Sequence, residues 1–359
     1  MDTEGPPDFS RMVSTLSDLS VDHDANTSSS SSSSPSTSSV YSPFSDCNSD
    51  RSGSFSSPDN THLLLVSCAS DDLILSLVSD LDPSRPLDLR RRAALELRLL
   101  TKNKPDIRSR IARAGAVKPL VSLISSSDPQ LQEYCVTAIL NLSLCDDNKG
   151  LIVSSGAIRP LVRALRSGTA TARENAACAL LRLSQVEVNK AAIGRAGAIL
   201  PLVELLETGT SRGKKDAATA LYSLCSIKEN KVRAVQAGIM RPLVELMADL
   251  ESNMVDKAAY VASVLAGGGG IQEARIALVE EGGVPVLVEM AEVGTPRQKE
   301  IAAVILLAIC EQSAVHRGMV VREGAIPPLV ALSQTGTTRG KQKAEALVGL
   351  LRQPVSAHP

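Results

Sequence analysis

The sequence predicts an all-α solenoid of stacked helical repeats behind a disordered N-terminal tail, and three observations carry that prediction. A short phrase returns along the chain: Gly115-Ala116-Val117-Lys118-Pro119-Leu120-Val121 reappears as Gly156-Ala157-Ile158-Arg159-Pro160-Leu161-Val162, and related phrases open at Gly197, Gly238, Gly282 and Gly324. The leucines of the Leu-Val pairs are spaced 41, 41, 41, 44 and 42 residues apart, the length of a two- or three-helix solenoid repeat. The 359-residue chain has no Trp, and its three Phe all lie in the first 60 residues, which leaves the repeats to be packed from Leu, Ile, Val, Ala, Met and Cys. Repeats that contact only their neighbours build extended binding surfaces rather than enzyme pockets.

Residues 1–60 form the tail. They hold a Ser/Thr run from Ser28 to Ser39 and carry nine acidic against two basic side chains. Such a segment cannot bury enough apolar surface to offset chain entropy. Ser34, Ser42 and Ser57, each followed by Pro, are candidate phosphosites. The remainder of the chain carries 36 basic and 30 acidic residues, so an acidic tail is joined to a basic body.

The solenoid is assigned to 61–359, with a partial first repeat over 71–101 and six full repeats over about 103–352. Asp71 to Leu81 reads as a second helix and Leu87 to Leu100 as a third, which makes this unit an N-terminal cap. In the repeat that follows, a first helix runs from about Asp106 to Ala114 and stops at Gly115, a residue suited to the left-handed backbone of a C-terminal cap. A second helix spans about Ala116 to Ile124, with Pro119 in its first turn, where a missing amide hydrogen costs little. A third runs from about Gln130 to Leu144. Gly-Thr pairs at 168–169, 209–210, 294–295 and 336–337 end second helices and cap third ones. Small pairs (Ala176-Ala177, Ala217-Ala218, Ala258-Ala259, Ala302-Ala303) let third helices approach one another. Charged residues among the apolar positions of 341–352 suit a solvent-facing last helix. The long 44-residue interval places its extra residues at Gly267-Gly268-Gly269-Gly270, where a flexible joint is expected.

Several function classes are excluded. The seven Cys form no Cys-x-x-Cys pair, and Cys135, Cys178, Cys225 and Cys310 fall inside apolar helical patterns as free thiols of a reducing compartment. The four His are scattered, so no metal is expected, and no catalytic constellation stands out. Gly209-x-x-x-Gly213-Lys214 and Gly336-x-x-x-Gly340-Lys341 are one residue too short for phosphate loops, so no cofactor is indicated. The few aromatics and modest basic excess argue against nucleic acid. No apolar run is long enough for a membrane span, and no signal peptide opens the chain, so a cytoplasmic or nuclear location is expected.

With the Gly-Ala-Ile/Val-x-Pro-Leu-Val junction stand Asn148-Lys149, Asn189-Lys190 and Asn230-Lys231 at the openings of first helices, and Ala138-Ile139-Leu140-Asn141-Leu142-Ser143. On these residues the chain resembles armadillo repeats over 71–352, which implies a right-handed superhelix. Arg92-Ala93-Ala94-Leu95-Glu96-Leu97, Arg173-Glu174-Asn175-Ala176-Ala177 and Lys214-Lys215-Asp216-Ala217-Ala218 resemble more narrowly the armadillo region of plant U-box E3 ubiquitin ligases. Those ligases carry a U-box ahead of their repeats; here that position holds the Ser-rich tail. The resemblance therefore implies an armadillo-repeat-only relative, a non-enzymatic interaction adaptor in ubiquitin-linked, stress or hormone signalling. The rival expectation is a substrate-recognition component of a U-box-type E3 ligase acting with a catalytic partner in trans.

In armadillo proteins that bind extended peptides, an Asn ladder on the third helices bonds the peptide backbone. The equivalent positions here are Arg98, Asn141, Arg182, Ser223, Val264, Ala308 and Leu350. One Asn in seven makes no ladder, but Arg98, Asn141, Arg182 and Ser223 remain candidates for a groove. Lys214, Lys215, Lys257, Lys299, Lys341 and Lys343 recur near starts of third helices, where positive charge opposes the helix dipole. Two readings stand: solvated charge, or a positive strip receiving acidic or phosphorylated protein segments, the protein's own tail among them.

Overall fold

The structure is a computed structural model that describes residues 70–102 and 104–353. The tail, its Ser-Pro sites and any tail contact lie outside the described residues. Among those residues there are twenty helices and no strand. α1 (Asp71–Asp80) and α2 (Leu87–Lys102) form the opening unit. Three-helix repeats follow: α3 (Pro105–Arg113), α4 (Val117–Leu123) and α5 (Pro129–Leu142), then α6 (Asp146–Ser154), α7 (Ile158–Ser167) and α8 (Ala170–Ser184). Next come α9 (Glu187–Arg195), α10 (Ile199–Thr208) and α11 (Ser211–Leu224), then α12 (Lys228–Gln236), α13 (Met240–Ala248) and α14 (Val255–Ala266). The array closes with α15 (Gln272–Glu280), α16 (Gly283–Val293), α17 (Pro296–Glu311), α18 (Ala314–Arg322), α19 (Ile326–Thr335) and α20 (Thr338–Leu351). Each third helix packs against the second helix of its own repeat and against the third helix of the next. α2, α5, α8, α11, α14, α17 and α20 thus make one continuous layer.

The recurring phrase earns its place locally. Its glycines, Gly115, Gly156, Gly197, Gly238, Gly282 and Gly324, all adopt φ between +75° and +88°, a conformation that penalises any side chain. The residue after the glycine donates its N–H five residues back in five of the six, as Ala116 does to Ile111 and Ala157 to Ile152, closing the first helix with a Schellman-type bond. The Leu of the Leu-Val pair is fully buried in every repeat, from Leu120 to Leu329. The alanine pairs and the four cysteines named above are buried as well. Third helices start where a side chain can cap them: Asp128, Thr169, Thr210, Thr295 and Thr337 each accept a backbone N–H from the first turn.

The Asn-Lys pairs bind one repeat to the next. Asn148, Asn189 and Asn230 are buried and donate their amides to the last carbonyls of the preceding third helices, Leu142, Leu183 and Leu224, at 3.0, 2.9 and 2.9 Å. Asn230 donates also to the carbonyl of Lys190 in the preceding first helix. The lysines reach forward, Lys149 to Gln185, Lys190 to Ser226 and Lys231 to the carbonyl of Gly269. The Asn is replaced by Ile107, Ala274 and His316, each followed by Arg, and in the first two cases the Arg takes over the cap. Arg108 donates to the carbonyls of Thr101 and Lys102, Arg275 to those of Ala266 and Gly267.

That substitution corrects the flexible joint expected at Gly267 to Gly270. The three extra residues do fall there, but the run is a bonded turn. Gly267 N–H donates to Ser263, Gly270 to Gly267 and Ile271 to Leu265, while Arg275 and Lys231 hold the carbonyls on either side. A Cβ on Gly270 would lie 2.2 Å from the Leu265 carbonyl oxygen, so glycine at this position serves close packing, whereas Gly268 and Gly269 face open space. The described residues on both sides belong to one compact unit.

Gly194 permits the buried approach of Asn230, since a Cβ there would lie 1.8 Å from the Asn230 Oδ1. Gly194→Ala and Asn230→Ala are each expected to destabilise the fold by about 1–3 kcal/mol, because either leaves buried carbonyls without donors. Gly349→Ala, in open space on α20, should instead be neutral or stabilising by up to about 1 kcal/mol. Thermal unfolding of the three variants checks the contrast.

Candidate functional site

The third-helix layer holds most of the residues nominated from sequence, and it distributes them unevenly. Arg98 is half-buried with its guanidinium 5.7 Å from the centre of the Tyr134 ring on the next third helix. Asn141, Arg182 and Ser223 are only 6, 3 and 5 % exposed. The Asn141 amide donates to the Arg98 carbonyl and to Thr101 Oγ1, and the hydroxyls of Ser184 and Ser223 lie 2.8 Å apart. The structure therefore places these three inside the layer rather than on it, with Asn141 and Ser223 binding third helices to one another.

Further sideways links run along the same layer. Asn175 donates to Thr137 and accepts from Arg212, while Gln298 donates to Asp256. Arg297 lies 5.1 Å from the Tyr260 ring centre, and Tyr260 meets Tyr222 edge to face at 6.2 Å. Sequence reasoning passed over these tyrosines. The signal available was an Arg on a neighbouring third helix, which makes a cation–π pair across the interface.

The lysines sort by register. Gln132, Arg173, Lys214, Lys299 and Lys341 occupy one equivalent position near the start of the third helix. Three of them turn back to the end of the second helix: Gln132 to the carbonyl of Ile124, Arg173 to that of Leu165 and Lys299 to that of Glu292. A cation that opposes the dipole of its own helix thus serves the carbonyl end of the neighbouring one, where positive charge is favourable. Lys299 makes this bond within its own repeat while remaining partly exposed. Lys214, Lys215, Lys341 and Lys343 are partly exposed and remain surface cations.

Lys215 breaks a second register. Glu133, Glu174 and Glu300 at that position accept from the capping Thr169, Thr210 and Thr337 of the following repeats. Opposite Lys215 the following cap is Met254, which offers no side-chain bond. Cation and missing threonine occur together.

Lys257 is 5 % exposed and so does not belong to a surface strip. Burial pushes its ammonium below the usual lysine range, Lys215 acts in the same sense, and Asp216 and Asp256 oppose them. Among the described residues no three metal-ligating side chains converge, and no helix is long and apolar enough to cross a membrane.

Because Lys257 holds its proton less tightly folded than unfolded, the unfolded chain binds more protons as pH rises between the two values. Stability from this residue therefore increases with pH across that interval and is diminished below it. Lys257→Met is expected to flatten the alkaline rise, measured as the denaturation midpoint from neutral pH upward.

Comparison with known proteins adds to this geometry. The family described as "Plant U-box protein ARM repeat region" matches residues 90–358. U-box domain-containing protein 3 of Arabidopsis thaliana is 57% identical over 239 residues, covering 67% of this chain and 31% of that protein. U-box domain-containing protein 2 of the same plant is 61% identical over 240 residues, covering 67% and 33%. An E3 ubiquitin-protein ligase of Oryza sativa subsp. japonica is 47% identical over 79 residues, covering 22% and 11%. The chain spans about a third of the length of the two Arabidopsis relatives it matches. Among solved structures, an engineered protein superposes with a TM-score of 0.67 at 26% identity, covering 82% of this chain and 71% of that one. A computationally designed armadillo repeat protein superposes at 0.59 with 24% identity, covering 66% and 99%.

Proposed function

The chain belongs to the plant U-box protein ARM repeat family, and on that premise we propose that it is a non-enzymatic scaffold that presents its third-helix layer to partner proteins in ubiquitin-linked plant signalling. The observation that carries this reading is the layer itself: third helices stacked side by side from Leu87 to Leu351, forming one uninterrupted face. Half-buried Arg98, Tyr134, Lys214 and Lys215 give that face fixed cations and a ring on rigid helices. Such groups suit contact with acidic or phosphorylated protein segments better than chemistry on a small molecule. The working location is cytoplasmic, nuclear or both, which a fluorescent fusion tests.

Full-length protein used as bait in plant extract is expected to retain a defined set of partners. The combined Tyr134→Ala, Lys214→Glu and Lys215→Glu substitutions should reduce capture by about tenfold or more. Undiminished capture would overturn the role of this face.

The similarity to a rice protein described as an E3 ubiquitin-protein ligase favours a second reading, a substrate-recognition component acting with a catalytic partner in trans. Purified chain with ubiquitin, E1 and E2 is expected to form no conjugates. If the second reading holds, adding a separate U-box ligase gives ubiquitination of a captured partner that depends on this chain.

A further inference from the structure

The second helices carry a charge pattern that the third-helix reading does not use. α7 exposes Arg159, Arg163 and Arg166, while its Leu161, Val162, Ala164 and Leu165 are buried. The three arginines follow i, i+4, i+7 spacing and so share one face of the helix. Neither α7 nor the preceding second helix α4 contains an acidic residue, and Lys118 of α4 is exposed in the register of Arg159.

Among the described residues the arginines make no ion pair. Arg91 does meet Asp128, Arg110 meets Asp71 and Arg339 meets Glu300, while exposed Arg113, Arg195 and Arg322 resemble the α7 set but each stand as the single exposed arginine of their helix. Glu207, the carboxylate one repeat on from Arg166, bonds to Arg241 instead. Helix stability does not explain the set. Arg166 lies in the last turn, where the dipole favours it, but Arg159 lies in the first turn, where positive charge opposes the dipole, and like charges at these spacings repel.

We propose that Arg159, Arg163 and Arg166 form a docking site on the outer face of α7 for an extended, acid-rich segment of a partner protein. The site rests on the scaffold reading above and adds to it a second face with its own ligand chemistry. The geometry suits that occupant. Along the helix axis the arginines are stepped by about 6 and 4.5 Å, at a rise of about 1.5 Å per residue. Alternate side chains of an extended peptide lie about 6.5–7 Å apart and point to one side. Carboxylates at every second residue can therefore meet successive guanidinium forks, each able to bind two oxygens.

The test uses the full chain and a fluorescein-labelled peptide of alternating Gly and Asp, with alternating Gly and Asn as control, followed by anisotropy at low and high salt. The Asp peptide is expected to bind and the Asn peptide not. Combined Arg159→Gln, Arg163→Gln and Arg166→Gln should weaken binding by about tenfold or more, while Lys228→Gln with Arg322→Gln, exposed cations outside both faces, changes it less than about twofold. Circular dichroism and thermal unfolding confirm that both variants fold; should the triple variant fail to, the single Arg163→Gln and Arg163→Glu substitutions in an otherwise intact chain must weaken binding in that order. Undiminished binding in the arginine variants, equal binding of the Asn peptide, no binding of the Asp peptide, or equal loss in the Lys228→Gln, Arg322→Gln control would each overturn the site. Partner capture through the third-helix face is unaffected by any of these results, so the two readings fail separately.

Discussion

The last carbonyls of a third helix are buried beneath the following repeat, and the array depends on finding donors for them. An α-helix leaves its final carbonyl groups without partners of its own, and at a buried end water cannot serve. Asn148, Asn189 and Asn230 meet that demand from the next first helix, and Arg108 and Arg275 meet it at two junctions where the Asn is missing. Much of the spacing follows from this. The donor fixes how closely the first helix approaches the preceding third helix, and Gly194 shows that the backbone has been cleared to let it come close.

The opposite ends of the third helices show a complementary arrangement. Threonine hydroxyls accept from their own first turn and donate to a glutamate one repeat earlier, as Thr169 does with Glu133. The repeats opening at Asn148 and Asn189 are thus tied to the preceding repeat at both ends of the third helix by side chains with little alternative use. The layer keeps few polar groups free, which is why its surface is defined by the half-buried arginines, lysines and tyrosine rather than by a row of asparagines.

The helices were legible in the sequence because their signals are local. A glycine confined to positive φ, a proline in a first turn and a capping threonine each act within four residues, and helix limits inferred from them agree with the structure to within about two residues in the first full repeat. The burial of Asn141 and Lys257 was not legible in that way, since it depends on how tightly adjacent third helices close over them. The basic positions misled for a different reason. Lysine at a helix start looks unfavourable along the chain, but Lys299 serves the end of a helix antiparallel to its own, an acceptor seven residues back that only the hairpin brings near. Comparison with Gln132 and Arg173 in the same register was the available clue. Four consecutive glycines likewise suggest mobility until the donors that hold them, one of them in the preceding repeat, are located.

The Asn cap has a consequence for how such an array can change over generations. Donor and acceptor lie in different repeats but at the same position of every unit, so excision of one 41-residue period in the Asn-bearing stretch would set each remaining Asn opposite an equivalent leucine carbonyl. Units in that stretch are interchangeable parts. At Gly267 to Gly270 the acceptors have moved and Arg275 has changed with them, so this junction is inherited only as a matched set. Duplication or loss of repeats would therefore be tolerated ahead of it and resisted across it.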